Sequence, residues 1–289
     1  MRIIRSVVQL RRVLNAARRK GKTIGFVPTM GGLHDGHAAL MRRAKKDHDL
    51  CVVSIYVNPK QFAPHEDFRR YPRDLRRDLG IARKEKVDIT FLPSDNVIYP
   101  KGYLTYIDVE KLSGVLCGRF RPGHFRGVAT VVAKLLNIVG PDALYLGQKD
   151  AQQAVVLKTM VRDLDLPVAV HVVPTVRDKD GLAMSSRNIY LSADQRRQAM
   201  VLYRALRLAK ARIAAGERSA SSIVRLITQI IRRESCGKIQ YVACVDALTL
   251  KPFKTLKGWV LIALAVFFGA TRLIDNIGIR VNGSQEIKS

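Results

Sequence analysis

The sequence predicts an α/β fold, a Rossmann-like doubly wound parallel sheet followed by a smaller C-terminal α+β domain. Short apolar runs alternate with segments of helical period from Lys22 to Val173, the pattern of strands joined by crossover helices. After Pro174 the texture changes to two long helical stretches and then strand-like runs. A chain of 289 residues, 47% of them hydrophobic, is long enough to bury the core that such an arrangement needs.

The first 22 residues are basic and free of acid, which fits either a targeting segment or a first helix. The helix is the simpler reading. Ser6 and Gln9 form a possible capping box, Val7, Leu10, Val13 and Leu14 share one face, and Gly21 stands where a helix would stop. Gly25-Phe26-Val27 closes a short apolar run, Pro28 to Gly32 breaks it, and Ala38 to Met41 starts a helix, so the order is strand, glycine loop, helix. Leu50 to Val57 and Val87 to Leu92 read as strands around a helix from Asp74 to Lys86. Gly127 to Val139 is helical, with Val128, Val131, Val132, Leu135 and Leu136 on one face. Asp142 to Leu146 and Val168 to Val173 then flank a helix from Ala151 to Leu164, which completes a sheet of about five strands. Beyond Pro174, Arg177 to Arg187 is polar and contains glycine, and Ser192 with Gln195 opens helices at 193–214 and 220–234. Strand-like runs at Gln240 to Val245 and Trp259 to Phe267 follow. The domains expected are 1–176 and 177–289.

Composition excludes several classes. The apolar run from Trp259 to Ala270 is shorter than the roughly 20 residues of a membrane-spanning helix, so no membrane role is expected and a buried strand is. The four cysteines, Cys51, Cys117, Cys236 and Cys244, are scattered, which suggests neither a disulfide framework nor a zinc site and fits a reducing cytoplasm. The net charge of +26 invites a nucleic-acid reading. It is spread over both halves: residues 1–176 carry 30 basic and 16 acidic residues, and 177–289 carry 20 and 8. No zinc-finger spacing or RNP-type motif accompanies it, so a solvated basic surface with no specific nucleic-acid partner is expected.

Three segments carry candidate chemistry. Pro28 to His37 places His34 and His37 at the start of the first crossover helix, where amides and the helix dipole favour phosphate and where imidazoles can donate to phosphoryl oxygens. Gly147-Gln148-Lys149-Asp150 again lies at a strand's carboxyl end, with Lys149 able to neutralise phosphate and the amides of Gln152 and Gln153 suited to hydroxyl and carboxylate groups. Asp180 to Asn188 carries two hydroxyls and a cation in a mobile-looking linker able to close over a nucleotide, so that Ser185, Ser186 and Arg187 could follow the departing phosphates.

HxGH followed far downstream by a serine-rich loop resembles the HIGH and KMSKS pair of the nucleotidyltransferase superfamily. Met30 to His37, Val57 to Phe62, Tyr71-Pro72-Arg73, Arg121 to Phe125, Gly147 to Gln153, Met184 to Asn188 and Thr271 to Asn276 resemble, in order, the blocks of the pantothenate synthetase (pantoate–β-alanine ligase) family over nearly the whole chain. The resemblance implies ATP-dependent condensation of pantoate with β-alanine through a pantoyl adenylate, releasing pyrophosphate and AMP, with ATP and Mg²⁺ and no prosthetic group, in a cytoplasmic homodimer. It implies that the first domain binds nucleotide and pantoate, while the second carries the Ser-Ser-Arg loop at its start. His34 and His37 would contact the phosphates, with His37 the proton donor. Lys149, Ser185, Ser186 and Arg187 would stabilise phosphoryl charge. Met30, Gly31, Gly32, Leu33, Asp35, Gly36, Gly147, Gln148, Asp150, Val176 and Met184 would help to hold ATP. Gln61 and Gln153 would bind pantoate, with Asn58 and Tyr71 in the same pocket.

The sequence departs from the family pattern at Gly32, where alanine is usual, at Asp35, where glutamate is usual, and at Gln148. Arginines interrupt the acidic cluster Asp74 to Asp78, so the metal ligands are left unassigned, with magnesium carried mainly by ATP. The alternatives are another HxGH nucleotidyltransferase acting on a different acid and a basic RNA-binding protein on this fold.

Overall fold

The computed structural model describes residues 1–64 and 66–281. It contains two compact units: Met1–Val176 with Met184–Ser186, and Arg177–Ala183 with the described chain from Arg187 onward. The serine pair Ser185-Ser186, expected at the start of the second domain, is thus grouped with the first unit.

The first unit is a parallel sheet wrapped by helices. In chain order it comprises β1 (Arg2–Ile4), α1 (Val7–Arg18), β2 (Ile24–Thr29), α2 (Asp35–Asp47), β3 (Leu50–Ile55), α3 (Leu75–Lys84), β4 (Ile89–Phe91) and α4 (Asp95–Ile98). There follow α5 (Cys117–Phe120), α6 (His124–Val139), β5 (Ala143–Gly147), α7 (Ala151–Asp163) and β6 (Ala169–Val173). The strand order is β1-β4-β3-β2-β5-β6, six strands where about five are expected. The extra one is β1, three residues paired with β4, too short to show a period among the basic residues around it. The N-terminus is therefore folded structure, with Ser6 capping α1 through the Gln9 amide.

This order fixes where a ligand can enter. The chain winds from β2 to β3 and β4 on one side, then to β5 and β6 on the other, so the strand order reverses between β2 and β5. At their N-terminal ends these two strands are pinned, because the Asp142 carboxylate accepts from the Ile24 amide at 2.7 Å and the Asp142 amide donates to the Ile24 carbonyl at 2.9 Å. They pair only at Gly25 and Phe26 and have parted by Pro28, whose missing N–H therefore removes no bond to β5. In open α/β sheets the ligand crevice lies beyond such a point. Phe26, Val27, Leu144 and Tyr145 are fully buried behind it, and truncating Phe26 to alanine should cost about 3–5 kcal/mol.

The second unit is α8 (Ala193–Ala199), α9 (Val201–Ala214) and α10 (Ala220–Glu234) packed on an antiparallel sheet ordered β7-β8-β9. Those strands are Lys238–Asp246, Gly258–Phe268 and Thr271–Val281. The single helix expected over 193–214 is divided at Met200. The strand β9 is missed by the apolar pattern because Arg272, Asp275 and Asn276 interrupt it, although Leu273, Asp275 and Asn276 are all buried.

Candidate active site

The loop after β2 turns through two consecutive glycines in the left-handed region, Gly31 at φ +83° and Gly32 at φ +61°. Alanine, the residue usual in the pattern at position 32, would be strained there, and its Cβ would lie 3.1 Å from Ser186 Cβ. The loop is held from below by Asp78 of α3, only 2% exposed, whose carboxylate accepts from the amides of Gly32 at 3.0 Å and Leu33 at 2.8 Å. Burial raises the pKa of Asp78 and those two amides offset part of the rise. Leu33 itself is core, packed with Val27 and Met41, so its side chain is structural.

His34 is the N-cap of α2, its Nδ1 accepting from the Gly36 amide at 3.1 Å. His37 closes the reciprocal half of the box, its Nδ1 accepting from the His34 amide at 3.4 Å. A neutral imidazole that accepts at Nδ1 carries its proton on Nε2, so both rings hold an Nε2–H donor. Burial, then the neighbouring His34 and then Lys149 hold the His37 pKa well below 6.5. The ring centroids are 4.2 Å apart. The amides of Gly32, Leu33, His34, Gly36 and His37 are therefore satisfied inside the protein, so most of what α2 can offer a phosphate comes from its imidazoles. Asp35 is exposed in the first helical turn, where a carboxylate suits the dipole.

On the other side of the crevice, β5 ends at Gly147, a tight turn spans Gln148–Asp150, and α7 begins without a side-chain cap. Lys149 lies 3.7 Å from Asp150, and its charge is felt at His37 across the strand-order reversal. Gln152 is not a ligand group: it is 6% exposed, its Oε1 accepts from the Cys117 amide, and its Nε2 donates to the carbonyls of Leu112 and Val115. A buried amide is consumed by the chain that covers it, and periodicity does not distinguish that from recognition. Gln153, the next residue on α7, is half-buried.

Gln61 ends a short turn, Pro59–Gln61, and its Nε2 lies 2.9 Å from the Met30 sulfur. Its Oε1 accepts from Asn58 Nδ2 at 3.0 Å. Asn58, 1% exposed, is fully engaged: Nδ2 also donates to the Gly127 carbonyl, and Oδ1 accepts from Tyr99. Tyr71 is buried, and its hydroxyl accepts from Ser186 Oγ at 3.2 Å, which brings the serine segment beside the glycine loop. Val176 is half-buried, and its carbonyl accepts from the Met184 amide at 3.0 Å. A cavity of about 650 Å³ lined by Glu110, Lys111, Ser113, Phe125 and Arg126, among others, includes none of the expected site residues.

In the second unit, the segment expected to be a loose linker is tied down. Arg177 makes a two-point ion pair with buried Asp275, donates to the Gly181 carbonyl and lies 3.7 Å over the Tyr203 ring. Arg177 and Ala183 form a bridge, and Arg196 pairs with Asp178 and Asp180. Arg187 lies in the turn Ser186–Tyr190. Sequence reasoning misses Asp78 as a loop support. A carboxylate on a helix outside every ligand motif gives no signal, apart from its place after the Tyr71-Pro72-Arg73 block. Among the described residues no cluster of histidine, cysteine or acid side chains is arranged to hold a metal ion, and Asp78 and Asp74 are already engaged with backbone amides.

The family model described as pantoate-beta-alanine ligase matches residues 2–278. A pantothenate synthetase of Moorella thermoacetica is 53% identical over 282 residues, covering 98% of this chain and all of that protein. One from Heliobacterium modesticaldum is 54% identical over 281 residues, 97% of this chain and all of that protein. The crystal structure of pantothenate synthetase from Thermus thermophilus superposes with a TM-score of 0.91 at 44% identity, covering 98% of this chain and 100% of that one. That of a pantoate-beta-alanine ligase from Francisella tularensis, complexed with beta-gamma ATP and beta-alanine, gives 0.77 at 36% identity, covering 96% and 97%.

Proposed function

The chain belongs to the pantoate–beta-alanine ligase family, and from that premise we propose how its own residues divide the reaction. It is an AMP-forming ligase that joins pantoate to β-alanine with ATP. The pantoate carboxylate attacks the α-phosphorus and expels pyrophosphate; the amine of β-alanine then attacks the acyl carbon, giving pantothenate, AMP and a proton. A carboxylate is a poor electrophile, and the adenylate supplies the leaving group.

The observation that supports the assignment is that the glycine loop with His34 and His37 and the turn with Lys149 follow β2 and β5, the two strands at the strand-order reversal. In this reading the Nε2–H groups of His34 and His37 and the ammonium of Lys149 receive the charge that develops on the phosphates, and Ser185 and Ser186 add hydroxyl donors. The resemblance makes His37 a proton donor. Burial and the neighbouring His34 and Lys149 lower its pKa, and we read the ring in this state as a neutral donor through Nε2–H. Gln61 and Gln153 bind pantoate. Met30 and Tyr71 shape that pocket, Asn58 acts by orienting Gln61, and Arg187 attends the leaving pyrophosphate. Leu33 has no part because its side chain packs in the core, nor has Gln152, because both ends of its amide are bonded to the backbone at Leu112, Val115 and Cys117.

Magnesium commonly keeps several waters and few carboxylates, so in this reading it would be carried mainly by the phosphate oxygens of ATP, where it would screen their charge. Two further parts of the proposal are a homodimer, checked by sedimentation, and a reducing cytoplasmic setting, which suits the four free thiols. The surplus positive charge would raise the encounter rate of anionic ATP and pantoate. The deciding experiment follows pyrophosphate with pantoate and MgATP, then AMP and pantothenate on adding β-alanine. Absence of AMP with all three substrates would refute the assignment.

A further inference from the structure

Two hydrogen-bond chains converge on Gln61, and each begins with a group that has only one possible role. In the first, the Arg121 guanidinium can only donate. It makes a two-point pair with Glu66, at 2.5 and 2.6 Å, and turns its remaining nitrogen, at 3.0 Å, to Nε2 of His124. Nε2 must then accept, which places the imidazole proton on Nδ1. Nδ1 lies 2.8 Å from the Gln61 carbonyl, itself only an acceptor, so the ring is fixed in one tautomer from both sides. In the second, the Gly127 carbonyl fixes Asn58 Nδ2 as its donor, and that same nitrogen fixes Gln61 Oε1 as an acceptor. Gln61 Nε2 carries two N–H groups; one faces the Met30 sulfur at 2.9 Å, and the other is what a carboxylate or hydroxyl oxygen of the acid would meet.

Packing makes these chains short. A Cβ on Gly127 would lie 2.3 Å from the Lys60 carbonyl oxygen and 2.7 Å from Gln61 Cα, so only glycine lets α6 press against the turn at Pro59–Gln61. The turn's own bonds are long, 3.4 Å from the Gln61 amide to the Asn58 carbonyl and 3.3 Å from the Phe62 amide to the Pro59 carbonyl. The 2.8 Å contact from His124 is the shorter bond on the Gln61–Phe62 peptide, so α6 adds to what the turn supplies in orienting it. Burial first and Arg121 second push the His124 pKa down to about 3, so the ring remains neutral, as the chain requires. Glu66 also stays charged, since Arg121 outweighs the burial that would raise it.

We propose that His124 is a positioning residue for acid recognition: held in its Nδ1–H tautomer by the Glu66–Arg121 pair, it sets the backbone and hence the amide of Gln61 that binds pantoate. The inference rests on reading Gln61 as a pantoate contact. His124 touches no substrate in this scheme.

The test is a pair of near-isosteres. His124→Asn puts an amide nitrogen at the place of Nδ1 and keeps the bond to the Gln61 carbonyl; His124→Gln puts its amide at the place of Nε2 and loses that bond. His124→Gln should raise the KM for pantoate by about 10-fold, the worth of one buried hydrogen bond, with the KM for ATP within about two-fold. His124→Asn should restore most of the pantoate KM. Gln61→Ala is the control. If it leaves the pantoate KM unchanged, the reading of Gln61 fails; if it raises KM while both His124 variants match the wild type, or while both are equally impaired, the positioning role fails. Should His124→Gln not fold, histidine-¹⁵N spectra of the wild type decide: an Nδ1–H, Nε2-unprotonated ring unchanged from pH 8 to 5 supports the chain, and the opposite tautomer overturns it.

Discussion

The crevice is flanked by two helix N-termini that reach the same end by different means. At α2 the histidine side chains close off the Gly36 and His34 amides, which leaves each imidazole with an Nε2–H to donate. At α7 no side chain caps the helix, and the preceding turn supplies Lys149, a full positive charge. The first helix end is capped by its own imidazoles, whereas the second has a lysine before it and no side-chain cap. A phosphoryl group between them would meet geometry on one side and charge on the other.

The comparison is broken most directly at Lys149. Removing the ammonium as Lys149→Ala should lower pyrophosphate release by about 10³-fold, and removing one imidazole as His37→Ala by about 10²-fold. Both should leave the far-ultraviolet spectrum unchanged. A larger loss at His37 than at Lys149, in single-turnover assays, would invert the assignment of charge and geometry.

The next effect tests whether α2's loop is as rigid as its bonds suggest. Asp78→Asn retains the shape but offers one acceptor oxygen for two amides, leaving the Gly32 or Leu33 N–H facing an NH₂ group. Urea unfolding should show a loss of about 2 kcal/mol, the range for hydrogen bonds to a charged group. A midpoint equal to wild type would mean that the glycine loop does not depend on Asp78. Capping is the smaller companion. His34→Ala should cost about 1 kcal/mol, whereas His34→Asn, a strong N-cap residue, should recover that stability without recovering adenylation. Recovery of both would assign His34 to the fold alone.

The sheet was legible in the sequence because strands and crossover helices alternate with clear periods, and the glycine loop before α2 marked a strand end and helix start suited to anions; the strand order, and with it the switch point, came from the structure. What was hidden has a common cause. Histidine is not a usual N-cap, so the closure of α2 by His34 and His37 could not be read from propensity. Gln152 and Gln153 are adjacent and alike in type, and only packing assigns the first to the Leu112–Cys117 loop. Glu66, Arg121, His124 and Gln61 span 63 residues, and the Arg121-to-Phe125 block was visible only as a resemblance, without a role. The spacing of Arg121 and His124, three apart at a helix start, is the one local hint that they act together.

The smallest effect expected is no change in rate where a free histidine would titrate. Because the His37 pKa is lowered well below 6.5, the folded ring stays neutral as pH falls from 8 to 6, and kcat/KM for ATP, which reports the free enzyme, should vary by less than about two-fold over that span. Stability should behave differently. The unfolded chain binds protons near pH 6.5, while folded His37 and His124 do not, so their contribution is complete above that pH and declines as pH drops below it. Rate and unfolding midpoint should therefore separate between pH 6.5 and 5: the midpoint falls first, and replacing His37 by asparagine reduces its slope. A rate that declines with a midpoint near 6.5, in step with stability, would show His37 exchanging protons with solvent, and the α2 side would then hold a titrating acid instead of a fixed neutral donor.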